Sequence, residues 1–172
     1  MLIKCISKFI KELKDPAKLF KDRKEKLPNY IKILTFNSSF NQSIDDLPDS
    51  IQILTFSNSV FNQSVNNLPN SIVDLTFGYY FNQPVNNLPA GLKCLKINCR
   101  AFNQSLDNLP SGLKDLILED LDSEIFNKPL NNWNASNVTN MEGMFMNATT
   151  FDQEITKWNV TKVTNMFQMF YN

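Results

Sequence analysis

Few residues in this 172-residue chain could carry chemistry. It has no histidine, so neither a base poised near neutrality nor an imidazole metal ligand is available. No glycine-rich phosphate loop occurs, and no serine stands in a nucleophile-elbow context. The three cysteines, Cys5, Cys94 and Cys99, form no CxxC pair. An odd, sparse set of this kind reads as reduced thiols of a cytoplasmic protein. The carboxylates are scattered, and the one pair to weigh as acid and base is Asp74 with Asp115. They lie two periods of an internal repeat apart. At ~4.8 Å per stacked strand that is roughly 10 Å, wide even for an inverting hydrolase pair. Met141, Met144, Met166 and Met169 could suit a soft metal or an adaptable binding surface, but each recurs with the repeat, which points to the core. Asn41, Asn62 and Asn103 each open an Asn-Gln-Ser glycosylation pattern. Asn82 keeps the same position although Pro84 breaks the pattern, so a structural role explains the asparagine better. The inventory predicts no enzyme, no cofactor and no metal site.

The repeat itself is the dominant signal. Its clearest copy runs Leu68-Pro69-Asn70-Ser71-Ile72-Val73-Asp74-Leu75-Thr76-Phe77, and then Phe81-Asn82-Gln83. Copies begin at Leu27, Leu47, Leu68, Leu88 and Leu109, a spacing of 20 or 21 residues that signals a solenoid. Aligned on Leu-Pro, the fifth position is Ile31, Ile51, Ile72, Leu92 and Leu113. The eighth is Leu34, Leu54, Leu75, Leu95 and Leu116, and the tenth is Phe36, Phe56, Phe77, Ile97 and Leu118. Positions eight and ten share a face only if the chain is extended there. One short parallel strand per repeat follows, too short to stand without neighbouring coils. Phe40, Phe61, Phe81, Phe102 and Phe126, each with an aliphatic residue four positions on, close the convex side.

The residue after that phenylalanine is always asparagine: Asn41, Asn62, Asn82, Asn103 and Asn127. An amide both donates and accepts, so a stacked asparagine column satisfies turn backbone and reaches the next coil. Asparagine is 24 of the 172 residues, and part of that excess lies in this column.

Two segments differ. In residues 1–26, Leu2, Ile6, Phe9 and Leu13 fall at helical spacing with lysines opposite, and Asp15-Pro16 reads as a helix start. Helices over 2–14 and 16–25 are expected to form an N-terminal cap over the first coil. The apolar residues there are interrupted by lysines, so no secretory h-region forms. No stretch approaches the ~20 apolar residues of a membrane span. From residue 127 the Leu of Leu-Pro gives way to Trp133 and Trp158, and the period lengthens to about 25 residues. The phrase becomes Trp-Asn, three residues, Val-Thr-Asn-Met, then Met-Phe. Residues 27–126 and 127–172 are expected to form one solenoid with two kinds of coil. The sequence stops at Asn172 inside a further Trp-led coil, so a truncated array, or self-association through an open end, is expected.

The phrases at Leu47–Gln63 and Leu68–Gln83 resemble the FNIP repeat, a leucine-rich-repeat relative of social amoebae and giant viruses. The phrase from Trp133 resembles the BspA-like (DUF285) surface-protein repeat. The resemblance implies an α/β-type, leucine-rich-repeat-like right-handed coil and a protein-interaction role. Some FNIP proteins carry an F-box and are candidate substrate adaptors of ubiquitin ligases; residues 1–26 are too short for one. BspA-like proteins are often adhesins. For a viral chain, the virion or host cytoplasm is implied.

The positions between the core residues should line the concave face. They are Ile53, Thr55 and Ser57; Asp74 and Thr76; Cys94, Lys96 and Asn98; and Asp115, Ile117 and Glu119. A net charge of +0 and a mixed-charge face suit a protein or peptide better than nucleic acid. A non-enzymatic interaction scaffold is therefore predicted. The alternatives are a structural or adhesive subunit stacking through its C-terminal end, and the substrate-recognition part of a ubiquitin-ligase adaptor.

Overall fold

The computed structural model describes residues 27–36, 38–57, 59–119 and 127–171. The expected helical cap, residues 1–26, lies outside them.

Each Leu-Pro phrase opens with a tight turn. The amide of the fifth residue donates to the proline carbonyl, as from Ile51 to Pro48 at 3.2 Å and from Leu92 to Pro89 at 3.0 Å. Proline suits this place because its carbonyl accepts and it needs no donor of its own. The chain then extends into a strand: β1 Ile33–Thr35, β2 Ile53–Thr55, β3 Asp74–Phe77, β4 Cys94–Asn98 and β5 Asp115–Glu119. All pair in parallel, in the order β1-β2-β3-β4-β5. The register sets Leu34, Leu54, Leu75, Leu95 and Leu116 side by side, and Phe77 beside Ile97 and Leu118. These leucines turn inward, and from Leu54 to Leu116 they are fully buried.

Across the core a second column faces the strands. Phe40, Phe61, Phe81 and Phe102 are all buried. Within a coil the two phenylalanines stack closely, Phe56 on Phe61 at 4.0 Å and Phe77 on Phe81 at 3.7 Å. Between coils the rings continue at 5.8 Å from Phe56 to Phe77 and 6.1 Å from Phe61 to Phe81. A double file of rings therefore runs along the solenoid axis.

The α/β-type expectation needs correction for the coils. Among the described residues there is no helix, and the convex side is made of turns. After each Phe-Asn corner another tight turn intervenes, closed by the amides of Leu47 on Ile44, Leu109 on Leu106 and Trp133 on Leu130. Asp45-Asp46, Asn66-Asn67 and Asn86-Asn87 hold the middle of these turns or their equivalents, and proline follows two residues later. Turn formers and proline at that density leave no run long enough for a helix.

The Trp-led coils contain no strand. Single bridging residues, Asn140 beside Asp115 and Asn165 beside Asn140, prolong the sheet instead. Trp133 and Trp158 are buried edge to face, 4.8 Å apart. The Trp158 indole donates to the Leu130 carbonyl at 3.0 Å. Met141, Met144 and Met169 lie in the core, whereas Met166 is exposed. No described helix is long and apolar enough to cross a membrane.

The ring file gives a stability prediction. Phe81→Ala should lower unfolding free energy by about 3–5 kcal/mol, because the neighbouring rings cannot close the gap. Tyr79→Ala, at an exposed position two residues earlier, should change it by less than about 0.5 kcal/mol. Urea denaturation of the two variants checks the contrast.

Candidate functional site

Two sets of polar side chains recur along the solenoid: the asparagines of the Phe-Asn corner, and the residues on the solvent side of the sheet.

The corner asparagines bond from coil to coil. Asn41 Oδ1 accepts the backbone N–H of Asn62 at 2.9 Å and Gln63 Nε2 at 3.0 Å. Asn62 does the same for Asn82 and Gln83, at 2.9 and 3.1 Å. Asn82 does so for Asn103 and Gln104, at 2.9 and 3.0 Å. The series then stops, and the buried Asn103 Oδ1 has no partner. It resumes at Asn127, whose Oδ1 takes the Asp152 N–H at 3.2 Å and Gln153 Nε2 at 2.7 Å. A parallel set links the turns: Ser50 Oγ donates to the Ile31 carbonyl at 2.7 Å and Ser71 Oγ to that of Ile51 at 2.6 Å. Apart from the Asn103 carbonyl oxygen, these groups are used in holding coils together.

The sheet's solvent side is different. In register along it run Ile33, Ile53, Asp74, Cys94 and Asp115, and next to them Thr35, Thr55, Thr76, Lys96 and Ile117. From Ile53 onward these side chains are half-buried, as is Asn98. Ser57 lies past the end of β2 and is exposed, and Glu119 ends β5 beside Asn98.

The register places Cys94 between Asp74 and Asp115, and its thiol hydrogen-bonds the Asp74 carboxylate. Burial, followed by the charges of Asp74 and Asp115, pushes the Cys94 thiol up to about 11, against the pull of Lys96. Burial also raises Asp74, opposed by the hydrogen bond from Cys94 and aided by Asp115. Cys99, buried behind β4, is raised by burial too, opposed by the amides of Ala101 and Phe102. A thiol near 11 is ionised at only ~10⁻⁴ at neutral pH, so Cys94 is no nucleophile. The two carboxylates flank a thiol rather than a space for water, which is not an acid–base arrangement. Among the described residues no group of three His, Cys, Asp or Glu could hold a metal ion.

Sequence reasoning overlooked several surface residues. Asn140 and Asn165 continue the column of Asp115. At the turn leaving β3, Tyr79 and Tyr80 are exposed and meet edge to face at 5.1 Å. The signal for them was a departure from the repeat: the first coil has Ser38-Ser39 at that turn.

Short parallel strands at a fixed period, a core fed by one leucine column, and turns on the other side define a leucine-rich-repeat-like solenoid. The FNIP repeat matches residues 23–59 and 61–100, and "Mycoplasma protein of unknown function, DUF285" matches residues 113–172. No curated protein matches significantly. Among solved structures, CroV588, described as a novel circular LRR protein, is 25% identical with a TM-score of 0.52. The match covers 81% of this chain and 27% of that one, so this chain spans about a quarter of its length. Residues 23–100 thus carry FNIP repeats and residues 113–172 a DUF285 segment, on a leucine-rich-repeat-like solenoid.

Two predictions follow from the two columns. Asn82→Ala should cost about 1–3 kcal/mol, since it strands the Asn103 amide and the Gln104 side chain. Asn103→Ala should cost less, because its carbonyl oxygen has no partner to lose; chemical denaturation of both variants decides. In a chain whose Cys5 and Cys99 are alanine, Asp74→Asn should lower the Cys94 pKa and speed its alkylation at pH 8.5 by about three- to tenfold. The raised thiol also fixes a sign: folding stability falls as pH rises from the unfolded thiol value, about 8.5, toward 11. Iodoacetamide kinetics and denaturation across that range measure both.

Proposed function

We propose that the protein is a non-enzymatic scaffold that binds another protein or peptide on the solvent side of its sheet. One observation carries this reading: along the register, the inward positions repeat while the outward ones change from coil to coil. Ile33, Ile53, Asp74, Cys94 and Asp115 share one position but not one chemistry. The fold does not need that variety, so a partner is the economical reason for it.

The surface suits a polypeptide. Lys93 and Lys114 stand exposed just before β4 and β5, and Asp74 and Asp115 lie within the sheet. Such alternation offers no continuous run of cations for a phosphate backbone. Tyr79 and Tyr80 at the strand ends are large amphipathic side chains of the kind that anchor interfaces. We further read residues 27–126 and 127–171 as one array, since Asn140 and Asn165 carry the Asp115 column onward.

A photo-crosslinking amino acid placed at Thr76 should capture the partner, and the same group at Asn66, on the opposite side, should not. Thr76→Arg and Lys96→Glu should weaken capture at least about tenfold. Equal capture from both faces, or no effect of either substitution, overturns the reading.

A further inference from the structure

The coil of β3 carries two features that the repeat does not require, one at each end of the strand. At the far end, Tyr79 and Tyr80 are 43% and 56% exposed and meet edge to face at 5.1 Å, their planes 70° apart. The equivalent turns hold Ser38-Ser39 in the first coil and Arg100-Ala101 in the fourth, so the core has no need of rings there. Just before the tyrosines, Gly78 stands at the outward position that Ser57 and Asn98 fill in the neighbouring coils. No side chain therefore rises between Thr76 and the ring pair.

At the near end, Asp74 is half-buried and faces outward between Ile53 and Cys94. Among the described residues, the one charge that acts on it is the like charge of Asp115, whereas Lys96 acts on Cys94. The Cys94 thiol gives Asp74 one hydrogen bond, and a carboxylate has sites for about four. Acceptor capacity is thus left over, with no cation to use it. Asp74 and Tyr79 are five positions apart, about 16 Å of extended chain.

These features limit what can dock. β3 is the middle strand, paired with β2 and β4, so an incoming strand finds no edge to join. A helix needs a continuous apolar groove, and the outward residues of β3 and β4 include Asp74, Thr76, Cys94 and Lys96. A polyproline II segment needs neither. Its backbone stays hydrated, its rings pack on aromatic faces, and being already extended it loses little entropy. At ~3.1 Å per residue, five of its residues also cover about 16 Å.

We propose that the coil of β3 docks a proline-rich segment bearing a basic residue, with a proline ring on Tyr79 and Tyr80 and the cation, about five residues away, on Asp74. This rests on the sheet-face reading above and names the chemistry of the partner. Arginine suits Asp74 better than lysine, because its planar fork matches a carboxylate.

The test is fluorescence anisotropy of the full chain with a labelled ten-residue proline-rich peptide, carrying arginine at each end so that either chain direction is served. Binding is expected below about 1 mM. Tyr79→Ala and Tyr80→Ala should each weaken it at least about fivefold, whereas Tyr30→Ala, at an exposed position on the first coil, should change it by less than about twofold. Asp74→Asn should weaken it about three- to tenfold, yet change binding of a peptide with glutamine for arginine by less than about twofold. No binding up to about 1 mM overturns the proposal. So does an equal loss from Tyr30→Ala, or an Asp74→Asn effect that is the same for both peptides. A partner crosslinked from Thr76 that saturating peptide fails to displace also overturns it, while leaving the sheet-face reading intact.

Discussion

The structure rests on one constraint: a coil can satisfy its backbone only through the coils on either side. Strands of three to five residues have no stability of their own. Each must lie parallel to its neighbour and in register, and that forces every coil to follow nearly the same path. The double file of phenylalanines and the asparagine bonds at the corners are two expressions of this requirement, one apolar and one polar. Both fail at the same time if a coil changes length, since each residue is then offset from its counterpart.

The chain shows what a change of length does. The ladder positions Asn41, Asn62, Asn82 and Asn103 are 20 or 21 residues apart, and the next step, to Asn127, is 24. Among the described residues, the buried side-chain polar atoms without partners are Asn103 Oδ1, Asn131 Oδ1 and Trp133 Nε1. All belong to coils that flank this change of period. Trp158, one coil further on, finds the Leu130 carbonyl, so an indole has a partner once two coils of the same kind adjoin. A buried polar group without a hydrogen bond is unfavourable by about 1–3 kcal/mol. The unpartnered groups among the described residues thus gather where the two repeat types meet.

Much of this was legible in the sequence, and for a simple reason. Leu54, Leu75, Leu95 and Leu116 recur at a fixed offset from Leu-Pro, and a period of two around them admits only an extended chain. The strand register follows from that alignment without further information. What escaped was set by neighbours rather than by pattern. The α/β-type expectation came from the family resemblance alone, and on the convex side proline and paired asparagines leave only turns. Met166 carries the same phrase as Met141, yet only Met141 lies under a described coil, and it is the buried one of the two. The Cys94 environment was equally out of reach. Asp74 and Asp115 are 41 positions apart in sequence, and only the register sets a thiol between them.

That thiol shows how function divides from fold in this chain. A cysteine between two carboxylates could suggest reactivity when read as a list of residues. Its surroundings do the reverse: burial and two negative charges hold the proton on sulfur. The position therefore contributes shape and hydrogen-bonding character to the sheet surface rather than chemistry. The same holds for its neighbours, threonine, lysine and isoleucine, at one register position. A solenoid recognises by presenting such rows on a rigid backbone, and rigidity here comes from the inward residues that do not vary. Freedom to change the outward residues is what the invariant core makes available.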